Sequence, residues 1–163
     1  MRIVIADANV LINLAVAGLV RLLGSLPGYE FCVAEDALDE VTQESQRAEV
    51  DSAIEQGHLQ VVRLDSADGV AQFAVLRRVM GRGEAACIAL ANENGWIIAS
   101  DERRVFRREA IRIVGEDRIM TTVDLFLESI RAGALTVGQA DAAKTTLAAN
   151  RFAVKFNSFQ DLL

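Results

Sequence analysis

An α/β fold with a mainly parallel central sheet is what this sequence predicts, and three observations predict it. Ile3-Val4-Ile5-Ala6 and Trp96-Ile97-Ile98-Ala99-Ser100 are apolar runs without alternation, the pattern of strands buried on both faces. Each run stops on a single carboxylate, Asp7 and Asp101. The stretch after Asp7 places Leu11, Leu14 or Ala15, Leu19 and Leu22-Leu23 at helical spacing, so that a helix packs back on the sheet. With 163 residues, 52% of them hydrophobic, the chain suits one domain, residues 1–163, with a sizeable core.

The remaining elements follow in order. Leu26-Pro27-Gly28 breaks the first helical pattern and Glu30 to Ala34 reads as a second buried strand. Glu35 to Glu44 reads as a helix with Asp36, Glu40 and Glu44 on one face and Asp39 beside them. Helix continues to Gly57, a natural C-cap, and Leu59 to Leu64 forms a third strand. A helix from about Asp68 to Met80 is followed by Gly81-Arg82-Gly83, which resets the backbone. The helix Glu84 to Ala91 is built of small residues, which let it approach its neighbours and predict deep burial. Gly95 ends it. Beyond Asp101 the sequence predicts a short helix carrying Arg103, Arg104, Arg107 and Arg108, then a strand Ile111 to Val114. Thr121-Thr122-Val123-Asp124 resembles a capping box for a helix ending near Gly133, which leaves Asp124 no catalytic role. Leu135 to Asn150 is a last helix, and the tail from Arg151 to Phe159 is too aromatic for a solvated end.

Composition narrows the function classes. A net charge of −6 argues against a protein that coats nucleic acid by bulk positive charge. The charge is two-sided, however. Nine of the 17 basic residues lie between Arg77 and Arg118, while Glu30 to Gln56 holds nine acids and only Arg47 as a base. Fifteen of the bases are arginine, whose planar fork suits phosphate and carboxylate. Cys32 and Cys87 sit in apolar segments and read as buried free thiols of a reducing compartment. The one histidine, His58, excludes a multi-histidine metal site and reads as a surface residue. No signal-peptide pattern precedes the first strand and no apolar run reaches the length of a membrane span, so the cytoplasm is the expected location.

Four acids, Asp7, Glu40, Glu84 and Asp101, each occupy a strand end or helix turn that an α/β fold can direct to one edge. Asp7 also suits an N-cap, and Glu84 a first-turn acid favoured by the helix dipole. The residues leave Glu40 against Asp39, and Asp101 against Glu102, open. Carboxylates clustered without histidine or cysteine select Mg²⁺ or Mn²⁺, ions that retain water, engage phosphate oxygens and assist phosphodiester hydrolysis. A small-molecule phosphatase fits less well, because there is no Asp-x-Asp nucleophile motif and no glycine-rich phosphate loop.

Four stretches together resemble the PIN-domain family, as found in the toxins of VapBC-type toxin–antitoxin pairs. They are Ile3-Val4-Ile5-Ala6-Asp7-Ala8-Asn9-Val10-Leu11-Ile12, Ala37-Leu38-Asp39-Glu40-Val41, Gly81-Arg82-Gly83-Glu84-Ala85-Ala86-Cys87-Ile88-Ala89-Leu90-Ala91, and Ile97-Ile98-Ala99-Ser100-Asp101-Glu102-Arg103-Arg104. The likeness covers roughly residues 1 to 135, with a helical tail, 136–163, beyond it. It implies a Rossmann-like three-layer α/β/α sandwich on a five-stranded sheet and Mg²⁺- or Mn²⁺-dependent cleavage of RNA. By this resemblance Asp7, Glu84 and Asp101 hold the ion, and Glu40 orients it or its water. Asn9 and Ser100 support the site on its substrate side, and Arg103 and Arg104 meet RNA phosphates. A homodimer restrained by an antitoxin is the implied assembly, with the Phe152, Phe156 and Phe159 tail as spare apolar surface. The alternative the resemblance leaves is a catalytically weak module that binds RNA or protein.

Overall fold

The computed structural model describes residues 1–150 and 152–163; Arg151, counted above with the tail, lies outside the described residues. Five parallel strands form one sheet in the order β3-β2-β1-β4-β5: β1 Arg2–Ala6, β2 Tyr29–Ala34, β3 Gln60–Val62, β4 Ile97–Ala99 and β5 Ile119–Met120. The helices are α1 Ala8–Val16, α2 Leu22–Ser25, α3 Glu35–Leu38, α4 Glu44–Glu55, α5 Ala67–Leu76, α6 Arg82–Asn94, α7 Arg104–Val114, α8 Thr122–Arg131 and α9 Val137–Ala148. They cover both faces, giving the three-layer α/β sandwich. β1 is central, which is why Val4, Ile5 and Ala6 are fully buried and why its sequence shows no alternation.

Helix α6 sets the depth of the site. Ala85, Ala86, Cys87, Ile88, Ala89 and Ala91 have no exposed surface, and the small side chains bring the helix onto β1, β2 and β4. Gly95 closes it in the left-handed conformation at φ +71°, where an L side chain would be strained. Cys32 and Cys87 are both buried free thiols. His58 is half-buried rather than on the surface, its ring lying against Gly24.

Three expectations are corrected. The helix expected over Glu35 to Glu44 ends at Leu38 and restarts at Glu44. The chain turns at Asp39 and Glu40 and buries Val41, so Glu40 and Glu44 share no helical face. The strand expected at Ile111 to Val114 is the end of α7, which buries Phe106, Ala110 and Val114 at i, i+4 and i+8. The fifth strand is instead Ile119–Met120. Finally, the tail phenylalanines do not add up to spare surface. Phe159 is buried, its ring 5.8 Å from Phe126 and 4.9 Å from Phe156. Asp141 holds this end in place, accepting the Ser158 hydroxyl at 2.7 Å and the Phe159 N–H at 2.8 Å. The capping box of α8 is present, with Asp124 bonded back to Thr121. No helix among the described residues is long and apolar enough to cross a membrane.

Candidate active site

The strand order reverses between β1 and β4, and in open parallel sheets ligands sit beyond the carboxyl ends of the strands at such a point. Asp7 directly follows β1. It caps α1, its Oδ1 accepting the Ala8 N–H at 2.9 Å, and it is also a buried acid with 2% exposure. The N-cap reading of this residue is therefore met. Register supplies its next neighbour: Ala6 pairs with Ala99, which brings Ser100 level with Asp7. The Ser100 hydroxyl donates to Asp7 Oδ2 at 3.0 Å. Burial raises the Asp7 carboxyl to a pKa of about 7, with repulsion from Glu84 and Glu40 adding to it, against the Ser100 and Ala8 bonds.

Glu40 arrives from the turn after α3. Its Oε1 accepts the Gly83 N–H at 3.1 Å, and a Cβ at position 83 would stand 2.8 Å from that oxygen. Only glycine lets the start of α6 come this close to the acid. Glu84 is the next residue, half-buried in the first turn of α6. Burial pushes its carboxyl pKa up, and Glu102 and Glu40 add to the rise. Asp7, Glu40, Glu84 and Glu102 line one pocket of about 180 Å³ with Asn9 at its side. The Asn9 amide ties the wall together: Nδ2 donates to Asp7 Oδ2 at 3.3 Å and to Glu102 Oε1 at 3.2 Å, and Oδ1 accepts the Asp101 N–H at 3.2 Å.

Asp101 is not brought into this pocket. Ser100 occupies the register position beside Asp7, and Asp101 turns toward the start of α8. There Oδ1 accepts the Thr122 N–H at 2.8 Å, and Oδ2 accepts the Thr122 hydroxyl and the Asn13 amide. Burial raises its pKa, while these bonds oppose the rise. Ser100, expected on the substrate side, is 1% exposed and reaches outward only through Asp7 and the Glu102 N–H that it accepts. Asn13 and Thr122 escaped sequence reasoning; a polar residue one turn after Asn9 on an otherwise apolar helix was the available signal for Asn13.

Arg103 and Arg104 flank the acids. They line a cleft of about 470 Å³ that shares Asn9 and Glu102 with the acidic pocket. Arg107 and Arg108 turn instead to Glu116 at 3.3 Å and Glu109 at 3.7 Å. Arg104 holds φ +55°, left-handed for a non-glycine residue and costing on the order of 1–3 kcal/mol, a strain typical of functional positions.

The pocket's chemistry fits a divalent cation. Its acids offer oxygen ligands, its deepest carboxyl is pushed up by burial with Glu84 and Glu40 adding to the rise, and among the described residues none of its four acids has a salt-bridge partner. No three of them converge tightly enough to cage an ion unaided; ions of this kind are commonly completed by water and phosphate oxygens.

A family model described as a PIN domain matches residues 3–149. The chain belongs to the PIN-domain family. No curated protein matches it. PIN domains are generally nucleases that use divalent metals, so a nuclease-type hydrolytic function, with nucleic acid as ligand, holds at that coarse level.

Proposed function

We propose that the chain is a Mg²⁺- or Mn²⁺-dependent endoribonuclease of the cytoplasm. The observation that carries the reading is the convergence of Asp7, Glu40, Glu84 and Glu102 on one pocket beside Arg103 and Arg104. Asp7, Glu84 and Glu102 would hold the ion, Glu102 taking the part that sequence reasoning gives to Asp101. A bound ion of this type stabilises charge developing on the phosphorus. Glu40, whose Oε1 accepts the Gly83 N–H, would orient the attacking water. Glu84 is half-buried beside Glu40 and Glu102, and a cation shared with Asp7 would offset the repulsion that helps raise its pKa. Ser100 and Asn9 hold Asp7 and Glu102 in place, and Asp101 anchors the loop between β4 and α7 to α8.

The physiological setting we infer is the toxin of a toxin–antitoxin pair, as a homodimer. Four carboxylates suit a partner arginine entering the pocket, and Val70, Val75 and Val79 leave apolar surface on and just after α5. The test is cleavage of RNA by the purified chain with Mn²⁺, with Mg²⁺ and with chelator. Cleavage that survives chelator would sink the metal-dependent reading. Binding without cleavage in any metal would favour the RNA-binding alternative. Light scattering that returns a clean monomer would remove the dimer.

A further inference from the structure

The cleft beside the acids is lined by more than arginine. Phe152 and Asn150, which follow α9, complete the cleft that Arg103, Arg104, Asn13 and Asp101 form next to the acidic pocket. Two of the three tail phenylalanines, Phe156 and Phe159, pack ring to ring in the core. Among the described residues Phe152 meets no aromatic ring, and it stays half-buried on the cleft. A volume of about 470 Å³ lies within the roughly 300–1,000 Å³ of small-molecule sites, room for a single nucleotide. An aromatic wall facing arginines is how single-stranded nucleic acid is held: the base stacks, the guanidinium groups take the backbone, and a paired base cannot enter.

We propose that this cleft is a nucleotide subsite for unpaired RNA, in which Phe152 stacks the base adjoining the cleaved bond while Arg103 and Arg104 take its phosphate. The proposal rests on the endoribonuclease reading and adds to it a base-stacking position on Phe152. Because the cleft and the pocket share Asn9 and Glu102, a strand seated on Phe152 continues directly over the acids. Phe152 also packs against the core, so its simple removal would confuse stacking with folding.

The experiment therefore uses the full chain with Mn²⁺, Phe152→Leu, which keeps apolar volume without a ring face, and Phe152→Tyr, which keeps the ring. The substrate is a single-stranded RNA oligonucleotide carrying one abasic position at a time. For wild type, one position beside the cut should raise KM by roughly 5- to 150-fold with kcat nearly unchanged, the range of one lost base stack. Phe152→Leu should show the same rise on intact RNA, an unchanged Tm, and no further rise at that abasic position. Phe152→Tyr should behave as wild type. An unchanged KM in Phe152→Leu, losses that multiply rather than overlap, or equal cleavage of duplex RNA would overturn the subsite and leave the nuclease standing. If wild type cuts no RNA, the nuclease reading is what fails. The subsite then stands or falls on fluorescence anisotropy with the same oligonucleotides, where loss of affinity on Phe152→Leu supports it and wild-type affinity overturns it.

Discussion

Asp7 and Asp101 end two neighbouring apolar strands and look alike in the sequence, yet their surroundings differ. The Asp7 carboxylate is opposed by Glu40 and Glu84, and its pKa is lifted to about 7. Asp101 is also buried enough to have its pKa raised, but Thr122 and Asn13 surround it with donors. Both carboxylates accept hydrogen bonds, but Asp7 also faces Glu40 and Glu84 across one pocket, whereas the side-chain partners of Asp101 are Thr122 and Asn13. On the proposed reading, this difference makes Asp7 the ion-holding acid and Asp101 an anchor, a distinction that position at a strand end does not make.

The widest gap between the two should appear in turnover. Asp7→Asn and Glu102→Gln should each lower metal-dependent RNA cleavage by more than about 100-fold, beyond the 10- to 100-fold usual for residues behind a metal ligand. Asp101→Asn should fall within that lower range. The reverse order in a single-turnover assay would exchange the roles of Glu102 and Asp101.

The second contrast is in stability against pH without metal. The folded chain keeps a proton on Asp7 that the unfolded chain has released between 3.8 and about 7, so stability falls as pH rises through that window and is level above it. At about 1.4 kcal/mol per pH unit the fall is at most on the order of 4 kcal/mol. Urea unfolding in chelator should show a steeper fall for wild type than for Asp7→Asn, which keeps only the smaller falls from Glu84 and Asp101 and should be the more stable protein at pH 8. Equal curves would mean that Asp7 is ionised without help.

Asp101→Ala should move the other way. It strands the buried Thr122 N–H and hydroxyl, at a cost of about 1–3 kcal/mol. Denaturant melts at neutral pH measure this, and a neutral result would show that Thr122 is satisfied without it. The smallest effect concerns Arg104. Arg104→Gly relieves the left-handed backbone and should stabilise by about 1 kcal/mol. It should also shrink the slope of log affinity against log salt for single-stranded RNA by about 0.7, one phosphate contact.

Where residues carried unmistakable physical demands, sequence alone was enough to read them. The unbroken runs of β1 and β4, the alanine-rich α6 and the capping box at Thr121 each admit few alternatives. The order of residues after β4 was not enough, because choosing between Asp101 and Glu102 requires register and the direction in which the chain leaves the strand. β5 was missed for a related reason. Its two residues are too few to show a period, while Ile111 to Val114 is β-branched yet belongs to an amphipathic helix whose buried face only the whole of α7 reveals. The sequence expects Glu40 on a helix; a turn after α3 instead brings it to the pocket beside Asp7 and Glu84.

The close approach of Gly83 to Glu40 bears on how this chain can diverge. Position 83 is buried at the start of a helix, where alanine is ordinarily the most neutral replacement, yet here a single methyl group would displace an acid 43 positions earlier in the chain. Tolerance at residue 83 is therefore set by where the carboxylate of residue 40 must lie, and a side chain at 83 would move that carboxylate before it disturbed the helix.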